Sequence, residues 1–327
     1  MNAPLFSSAL APLMTTDTAP TLTPFRHTVE QWMRHFQQWL STELETTDGA
    51  ATFQPDVWQH HSGGGGESRV IQNGRILEKG GVNFSAVQGQ MSEQAARVLL
   101  MPDPNYFATG VSVVQHPRSP LVPISHMNVR YFEAGNGEAW FGGGLDLTPI
   151  YVDVRQARWF HEQIHAVCAQ HDASYYERFK TWADDYFYLP HRQETRGVGG
   201  IFFDRLTVGK DGDRDQLFAF VQAVGEVYGR SYCELMRRNA DRPYGAQEVQ
   251  WQMLRRARYA EFNLAFDRGT RFGLETGGRT ESILMSLPPR CEWHYNQQPE
   301  PGSREDETQQ WLKKGVNWLA HSPTSLD

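Results

Sequence analysis

The segment HPRSPLVPISHMNVRYFE at 116–133 concentrates side chains that can move protons and bind anions. His116, His126, Asn128 and Arg130 lie within fifteen residues of one another. From Asn128 onward the pattern is typical of a β-strand, in which alternate residues share a face, so Asn128 and Arg130 should project to the same side. A single histidine or arginine on a strand is usually structural. The density of such groups here favours a functional site.

A second candidate is the HEQIH motif, which begins at His161 and ends at His165. With His171 it resembles the zinc-peptidase pattern HExxHxxGxxH, except that Cys168 replaces the glycine. On a helix the first two histidines share a face, and Glu162 could act as general base. The third ligand requires the chain to turn sharply at the glycine, and cysteine does not readily adopt a positive φ. We therefore favour an amphipathic helix whose histidines face solvent or a neighbouring pocket, and keep a zinc peptidase as the alternative.

Four glycine-rich segments border predicted strands, and three of them have an arginine or aspartate close by. None has the strand–GxGxxG–helix context or the GxxxxGK[ST] loop that binds nucleotide phosphates. Taken singly, each is typical of a turn or a β-bulge. Taken together they predict close approach of backbone to a bulky ligand. The segments are SGGGGESRV (62–70), WFGGGLDLTP (140–149), RGVGGIFFD (196–204) and ETGGRTES (275–282).

Composition narrows the class of protein. The chain has 327 residues, 39% of them hydrophobic, and a formal net charge of −7. It has no long basic run, which disfavours a nucleic-acid partner or an anionic membrane surface. No apolar stretch approaches the ~20 residues that span a bilayer, and no signal-peptide pattern is present, so we expect a cytoplasmic protein without a transmembrane segment. Cys168, Cys233 and Cys291 are too widely separated to form a zinc or iron–sulfur motif.

The elements that must position these residues follow from apolar periodicity. Steps of three and four residues predict helices at about 25–45, 154–171, 174–188, 214–239, 246–257 and 306–319. Runs of β-branched and aromatic residues predict strands at about 111–116, 128–134, 139–147, 199–206, 259–267 and 283–288.

Short turns between the early strands favour antiparallel pairing over crossover connections. We predict an α+β fold, in which a large antiparallel β-sheet of roughly six to eight strands is flanked on both faces by α-helices. Residues 1–22 are rich in Pro, Thr, Ser and Ala and are predicted to form a flexible N-terminal leader. Residues 23–327 are predicted to form a single domain, because no linker or internal repeat divides them.

Several long motifs, in one order, resemble the oxygen-dependent coproporphyrinogen III oxidases. The resemblance runs from about Trp58 to Tyr295 and departs mainly in the long N-terminal segment and in ISH where some relatives have TSH. The motifs are EKGGVNFS, SHMNVRYFE, WFGGGLDLTPIY, DDYFYLPHRQETRGVGGIFFD, RARYAEFNLAFDRGTRFGL and ETGGRTESILMSLPP.

The resemblance implies a homodimer of α+β subunits that converts coproporphyrinogen III to protoporphyrinogen IX. Two propionates become vinyl groups, with O2 as co-substrate and without an organic cofactor. The unrelated oxygen-independent enzyme for this step holds an iron–sulfur cluster through closely spaced cysteines, which this sequence lacks. A tetrapyrrole carrier without catalysis remains a further alternative.

The resemblance also implies residue roles. His126 matches the family's proton donor. The implied substrate contacts are Ser112, Asn128, Val129, Arg130, Gly277, Gly278 and Arg279. The implied ligands of a divalent metal are His116, His126, His161 and His191, for which the alternative is a set of structural or proton-handling imidazoles.

Chemistry adds three expectations. Arg130 and Arg279 should bind propionates, because a guanidinium gives a carboxylate two charge-assisted hydrogen bonds. Asp146, at the end of WFGGGLD, should accept the pyrrole N–H groups, so that Asp146→Asn would lower turnover and change stability little; the alternative is an aspartate that caps a turn. The apolar segments within 259–294, predicted as strands, should contribute to the dimer interface.

Overall fold

The computed structural model describes residues 24–61, 63–91, 96, 103–275 and 278–320. The predicted leader at 1–22 therefore lies outside the described residues, as do Gly277 and the C-terminal residues 321–327. No helix in these ranges is both long and apolar enough to cross a bilayer.

A seven-stranded antiparallel sheet forms the centre of the described chain, and its strand order is β1-β2-β3-β4-β5-β6-β9. The α+β fold predicted from the sequence is confirmed. The strands of this sheet are β1 (Gln54–Gln59), β2 (Gly64–Gln72), β3 (Leu77–Gln90), β4 (Asn105–Pro117), β5 (Ile124–Ala134), β6 (Ala139–Thr148) and β9 (Gly199–Thr207). A separate two-stranded ribbon pairs β7 (Tyr188–Leu189) with β8 (Glu194–Thr195).

Eight α-helices are present in the described part of the chain. They are α1 (Pro24–Asp48), α2 (Val154–His171), α3 (Tyr175–Tyr186), α4 (Arg214–Asn239), α5 (Ala246–Ala265), α6 (Arg268–Glu275), α7 (Thr280–Leu284) and α8 (Arg304–Trp311). A short 3₁₀ turn follows at Trp318–Ala320.

One face of the sheet is covered by the long helices. In α1, apolar residues recur every three or four positions, so one stripe of the helix is buried against β3 and β4. In the same way α4 packs against β5 and β6, while α2 and α3 contact β9. The side chains under these helices form the main hydrophobic core, which includes Val111, Met127, Val129, Phe141 and Leu145.

The other face is covered only in part, by α5 and α7. Tyr259 of α5 packs edge-on against His116 at the end of β4. Met285, just after α7, fills the space above Gly81, where an added Cβ would lie 1.8 Å from its sulfur. Both faces of the sheet thus carry helices, but the middle of this second face, which we call the open face, is only partly covered, and Ser112, Asn128 and Arg130 there are partly exposed.

Three predicted elements near the C-terminus were wrong. Residues 259–267, predicted as a strand, continue helix α5 as far as Ala265, because Tyr259 and Phe262, three residues apart, are both buried on one side of the helix. Residues 283–288 form the end of α7 and the turn after it rather than a strand. The helix predicted at 306–319 ends at Trp311.

Candidate active site

A row of polar side chains crosses the open face. The register of the sheet places Ser68, Asn83, Ser112 and Asn128 opposite one another on four successive strands, with Gly144 next in line on β6. Cross-strand partners share a face, so these side chains project together. The predicted substrate contacts Ser112 and Asn128 are therefore neighbours, although sixteen positions separate them in the sequence.

Val129 differs from its two neighbours on β5. Because side chains alternate along a strand, it points to the covered face, where it is fully buried in the core. A substrate contact of Val129, which stays a prediction, would therefore have to involve its backbone atoms.

Arg130 lies beside the polar row with its side chain about one-third exposed. Its Nη1 donates to Asn128 Oδ1 at 2.8 Å, and its Nη2 lies 3.0 Å from Asp204 Oδ1. The guanidinium extends over Gly142, where an added Cβ would come within 2.7 Å of Arg130 Nε. The glycine thus makes room for the arginine, whose exposed part can bind an anion.

His126 and Asp146 form a cross-strand pair in the adjacent row. His126 Nδ1 donates to Asp146 Oδ1 at 2.9 Å. The histidine side chain is 22% exposed and that of the aspartate 1%, so the ring lies between a buried carboxylate and the open face. No described residue forms a hydrogen bond with the other ring nitrogen, Nε2. His126 can therefore hold or transfer a proton at Nε2 while Asp146 fixes its orientation.

Arg196 holds Asp146 from the buried side. Its Nη2 donates to Oδ1 at 2.6 Å and its Nε to Oδ2 at 3.2 Å. Burial alone would raise the pKa of Asp146, but the attraction of Arg196 and the hydrogen bond from His126 outweigh burial and lower it, so the carboxylate stays charged. Both oxygens are engaged, and this geometry favours an action of Asp146 through His126 over the direct pyrrole contact that we predicted. Arg196 was not singled out in the sequence, where it is only the first residue of the glycine-rich segment RGVGGIFFD.

Arg279 lies at the opposite end of the polar row, at the start of α7. Its Nη2 donates to Asp56 of β1, the cross-strand partner of Ser68. Ser282 of α7 reaches the same row, because its Oγ lies 2.7 Å from Ser68 Oγ and its carbonyl accepts from Asn83 Nδ2 at 3.1 Å. Gly278 precedes this helix.

The histidines implied as metal ligands do not gather into one centre. His116 is buried, and its Nε2 donates to the Ser286 carbonyl at 2.8 Å. His161 is also buried: Nε2 donates to the Val198 carbonyl at 3.0 Å, while Nδ1 lies 2.9 Å from the hydroxyl of Tyr176. Burial lowers the pKa of both histidines to about 3, so both rings are neutral.

The other two histidines are engaged elsewhere. His191 is exposed, lies 2.7 Å from Glu261 Oε2 through its Nε2, and stacks on Phe266. His126 pairs with Asp146 as described. Within the described residues no three side chains of the His, Cys, Asp or Glu type are placed to bind one metal ion. The geometry of one chain therefore does not support a metal centre built from these histidines.

The HEQIH motif occupies two different environments on α2. His161 has both ring nitrogens in hydrogen bonds within the core, whereas His165 is exposed and packs against Tyr176. Glu162 pairs with Arg158 on the same helix, at 2.7 Å between Oε1 and Nε. This arrangement is typical of an amphipathic helix, and it supports that interpretation over a zinc peptidase.

The open face has the features of an enzyme site for an anionic ligand, since it combines arginines, polar side chains and an oriented histidine. A family model described as coproporphyrinogen III oxidase matches residues 28–318. The chain belongs to the coproporphyrinogen III oxidase family. Membership places it among the oxidoreductases of haem biosynthesis.

Proposed function

We propose that this chain is the oxygen-dependent form of the enzyme, which oxidatively decarboxylates two propionates of coproporphyrinogen III to give protoporphyrinogen IX. The observation that carries the proposal is the polar row on the open face, with an arginine beside each end and His126 alongside it. A substrate with charged arms around a broad, uncharged centre matches this layout.

The scale of the row supports a tetrapyrrole. Neighbouring strands lie about 4.8 Å apart, so the four steps from β1, which Arg279 contacts, to β5, which carries Arg130, span roughly 19 Å. A porphyrinogen carries propionates on opposite sides of its macrocycle, so the two arginines can bind carboxylates at the two ends. Gly144 leaves its position in the row without a side chain, so the ring system can approach the backbone of β6 there.

The reaction needs an electron-rich substrate and an electron acceptor. For each arm, a propionate, one O2 and one proton give a vinyl group, CO2 and H2O2. The porphyrinogen transfers an electron to O2 when a pyrrole N–H is polarised or deprotonated. The reduced oxygen species removes hydrogen from the β-carbon of the propionate, and the carboxyl carbon leaves as CO2. The chain's own residues need only bind the arms and direct protons.

His126 is the residue that we assign to proton transfer. Its Nε2 faces the open side of the sheet and can deliver a proton to the departing peroxide or take one from the ligand. Asp146 is the positioning residue that holds Nδ1, and Ser112 and Asn128 supply hydrogen bonds beneath the macrocycle. Arg130 anchors one propionate, and Arg279, with Gly278 and the predicted contact Gly277, anchors another.

The cysteines favour O2 as the electron acceptor. Cys168 and Cys233 are buried in α2 and α4, and Cys291 lies after α7. The sequence contains no closely spaced set of cysteines that could hold an iron–sulfur cluster. The chain therefore lacks the cysteines that the oxygen-independent enzyme uses for its cluster. We propose that the reaction needs no organic cofactor.

A homodimer remains part of the proposal. The described residues of the region predicted for the interface, 259–294, form helices and irregular chain rather than strands, but they do expose apolar side chains. Leu264, Phe266, Leu274 and Trp293 are each at least one-third exposed. Such a surface fits a protein contact. Sedimentation at micromolar concentration should show a dimer, and a monomer would reject this part of the proposal.

One experiment tests the reaction. Purified protein is mixed with coproporphyrinogen III with and without O2, and vinyl product, O2 uptake and H2O2 are measured together. We expect product only in the presence of O2, with one O2 consumed per vinyl group formed. Binding without O2 uptake would indicate a carrier, equal turnover without O2 would reject O2 as acceptor, and no binding would reject the substrate.

A further inference from the structure

Arg196 is buried among aromatic rings, yet a single residue, Asp146, links it through hydrogen bonds to His126. We propose that Arg196 is a positioning residue: its guanidinium fixes the Asp146 carboxylate, which in turn holds the His126 ring in the orientation and tautomer that turnover requires. The proposal rests on the proposed function for its kinetic readout, but its structural readout is independent of the substrate.

Three separate nitrogens of Arg196 are in hydrogen bonds. Nε and Nη2 bind the two oxygens of Asp146, at 3.2 and 2.6 Å. Nη1 donates to Asn263 Oδ1 of α5 at 2.9 Å. The planar group therefore ties β6 to α5 and fixes the plane of the carboxylate. A lysine ammonium cannot make these three bonds in one plane, since it places all its donors on one atom.

Three aromatic rings surround the guanidinium. Its central carbon lies 4.4 Å from the ring centroid of Phe187, 4.6 Å from that of Tyr259 and 4.7 Å from that of Phe262. Arginine stacks on aromatic faces in this way because its charge is delocalised and weakly hydrated. Phe187 also meets His126 edge to face, with centroids 6.1 Å apart. The Phe187 ring thus contacts both Arg196 and His126, the two residues that Asp146 links.

Arg196 holds the Asp146 carboxylate in the orientation in which it accepts a hydrogen bond from His126. The aspartate side chain is 1% exposed, and its two oxygens are fixed by the Nε and Nη2 donors of Arg196. Without these two bonds the carboxylate would be free to rotate away from His126 Nδ1, and the imidazole could then carry its proton on Nε2. The position of the proton on the imidazole, rather than the fold alone, is therefore expected to depend on Arg196.

The first measurement follows the tautomer of His126 in the free protein. The chain contains 12 histidines, so 15N-labelled histidine is used and His126 is assigned by the signals lost in His126→Gln. With a neutral ring, the wild type should carry its proton on Nδ1. Arg196→Met should shift the population toward Nε2–H, and Arg196→Lys should shift it less. An unchanged tautomer in folded Arg196→Met overturns the proposal.

The second measurement is a double-mutant cycle on turnover. Arg196→Met should lower kcat by about 10- to 100-fold, with KM nearly unchanged, as expected for a residue that orients a reacting group. In a protein that already carries Asp146→Asn, Arg196→Met should lower kcat by less than about 3-fold, since the two residues act as one unit. Full additivity would mean that Arg196 does not act through Asp146.

A matched control separates positioning from folding. Arg255 is equally buried and binds both oxygens of Glu194, at 2.9 and 3.1 Å, without contact to Asp146 or His126 among the described residues. Arg255→Met should destabilise the protein to a similar extent but leave the His126 tautomer, and the kcat of the folded fraction, unchanged. If Arg196→Met does not fold, Arg196→Lys carries the test. If the wild type does not turn over coproporphyrinogen, the proposed function fails, and the tautomer measurement still decides the role of Arg196.

Discussion

The two faces of the central sheet are built from the same strands but have different chemistry. On β5, Met127 is fully buried under the helices, while its neighbours His126 and Asn128 reach the open face. Because side chains alternate along the strand, residues that stabilise the core and residues that face the site are direct neighbours in sequence. We expect substitutions on the covered face to change the free energy of unfolding, and substitutions on the open face to change turnover or substrate binding.

The largest effect should come from His126→Ala. We expect kcat to fall by about 10²- to 10⁴-fold, the range for a positioned acid or base. Stability should change little, because the ring is partly exposed and Asp146 keeps both bonds to Arg196. Stopped-flow turnover and urea unfolding measure the two quantities. A folded variant with near-normal kcat would remove His126 from the mechanism.

Asp146→Asn tests a residue that should affect both stability and turnover, because Asp146 lies on the same side of the sheet as His126 but is buried. We expect kcat to fall by at least ~10²-fold, since an amide cannot hold the imidazole proton as a carboxylate does. The buried ion pair with Arg196 leads us to revise the expectation that stability would change little. Removing the carboxylate leaves Arg196 charged and buried, which costs about 3 to 5 kcal/mol. Urea unfolding together with kcat of the folded fraction checks both; near-normal kcat would leave Asp146 as a purely structural residue.

Substitutions of two neighbouring residues on β5, Met127 and Asn128, compare the covered face with the open face directly. Met127→Ala removes a fully buried side chain and should cost about 2 to 5 kcal/mol of stability, while kcat of the folded protein stays near the wild-type value. Asn128→Ala should cost less than about 1 kcal/mol. It should nevertheless raise KM by about 10-fold, because Arg130 loses the acceptor of its Nη1. If both variants lose stability alike, the separation of the two faces is wrong.

Local patterns in the sequence were enough for the long helices and for four of the seven strands of the sheet, but they did not predict β1, β2 or β3. The predicted strands at 111–116, 128–134, 139–147 and 199–206 all fall within strands of the sheet. The error at 259–267 has a physical cause: aromatic residues favour strands by propensity, but their steps of three and four suit a buried helix, and tertiary packing decided between them.

Strand periodicity could bring site residues together only where one strand supplies them. Asn128 and Arg130 are close in sequence and were placed on one face in this way, and the observed start of β5 at Ile124 adds His126 to that face. Arg196 reaches Asp146 from fifty positions away, and no local pattern signals that contact. Nor could the sequence show that Asp146 is enclosed by its partners. That depends on how α5 and β8 pack against the end of β6.

The smallest effect should come from Glu162→Gln, on a helix that lies away from the open face. Glu162 pairs with Arg158 one turn earlier, and its side chain is 41% exposed. Such surface pairs contribute ~0.3–0.5 kcal/mol, so neither stability nor kcat should change measurably. In a zinc peptidase the same glutamate would be the general base, and its loss would abolish activity. Measuring the turnover of Glu162→Gln and of His126→Ala in parallel therefore compares the HEQIH motif with the histidine of β5 directly. A folded Glu162→Gln variant without oxidase activity would show that the HEQIH helix takes part in the chemistry after all.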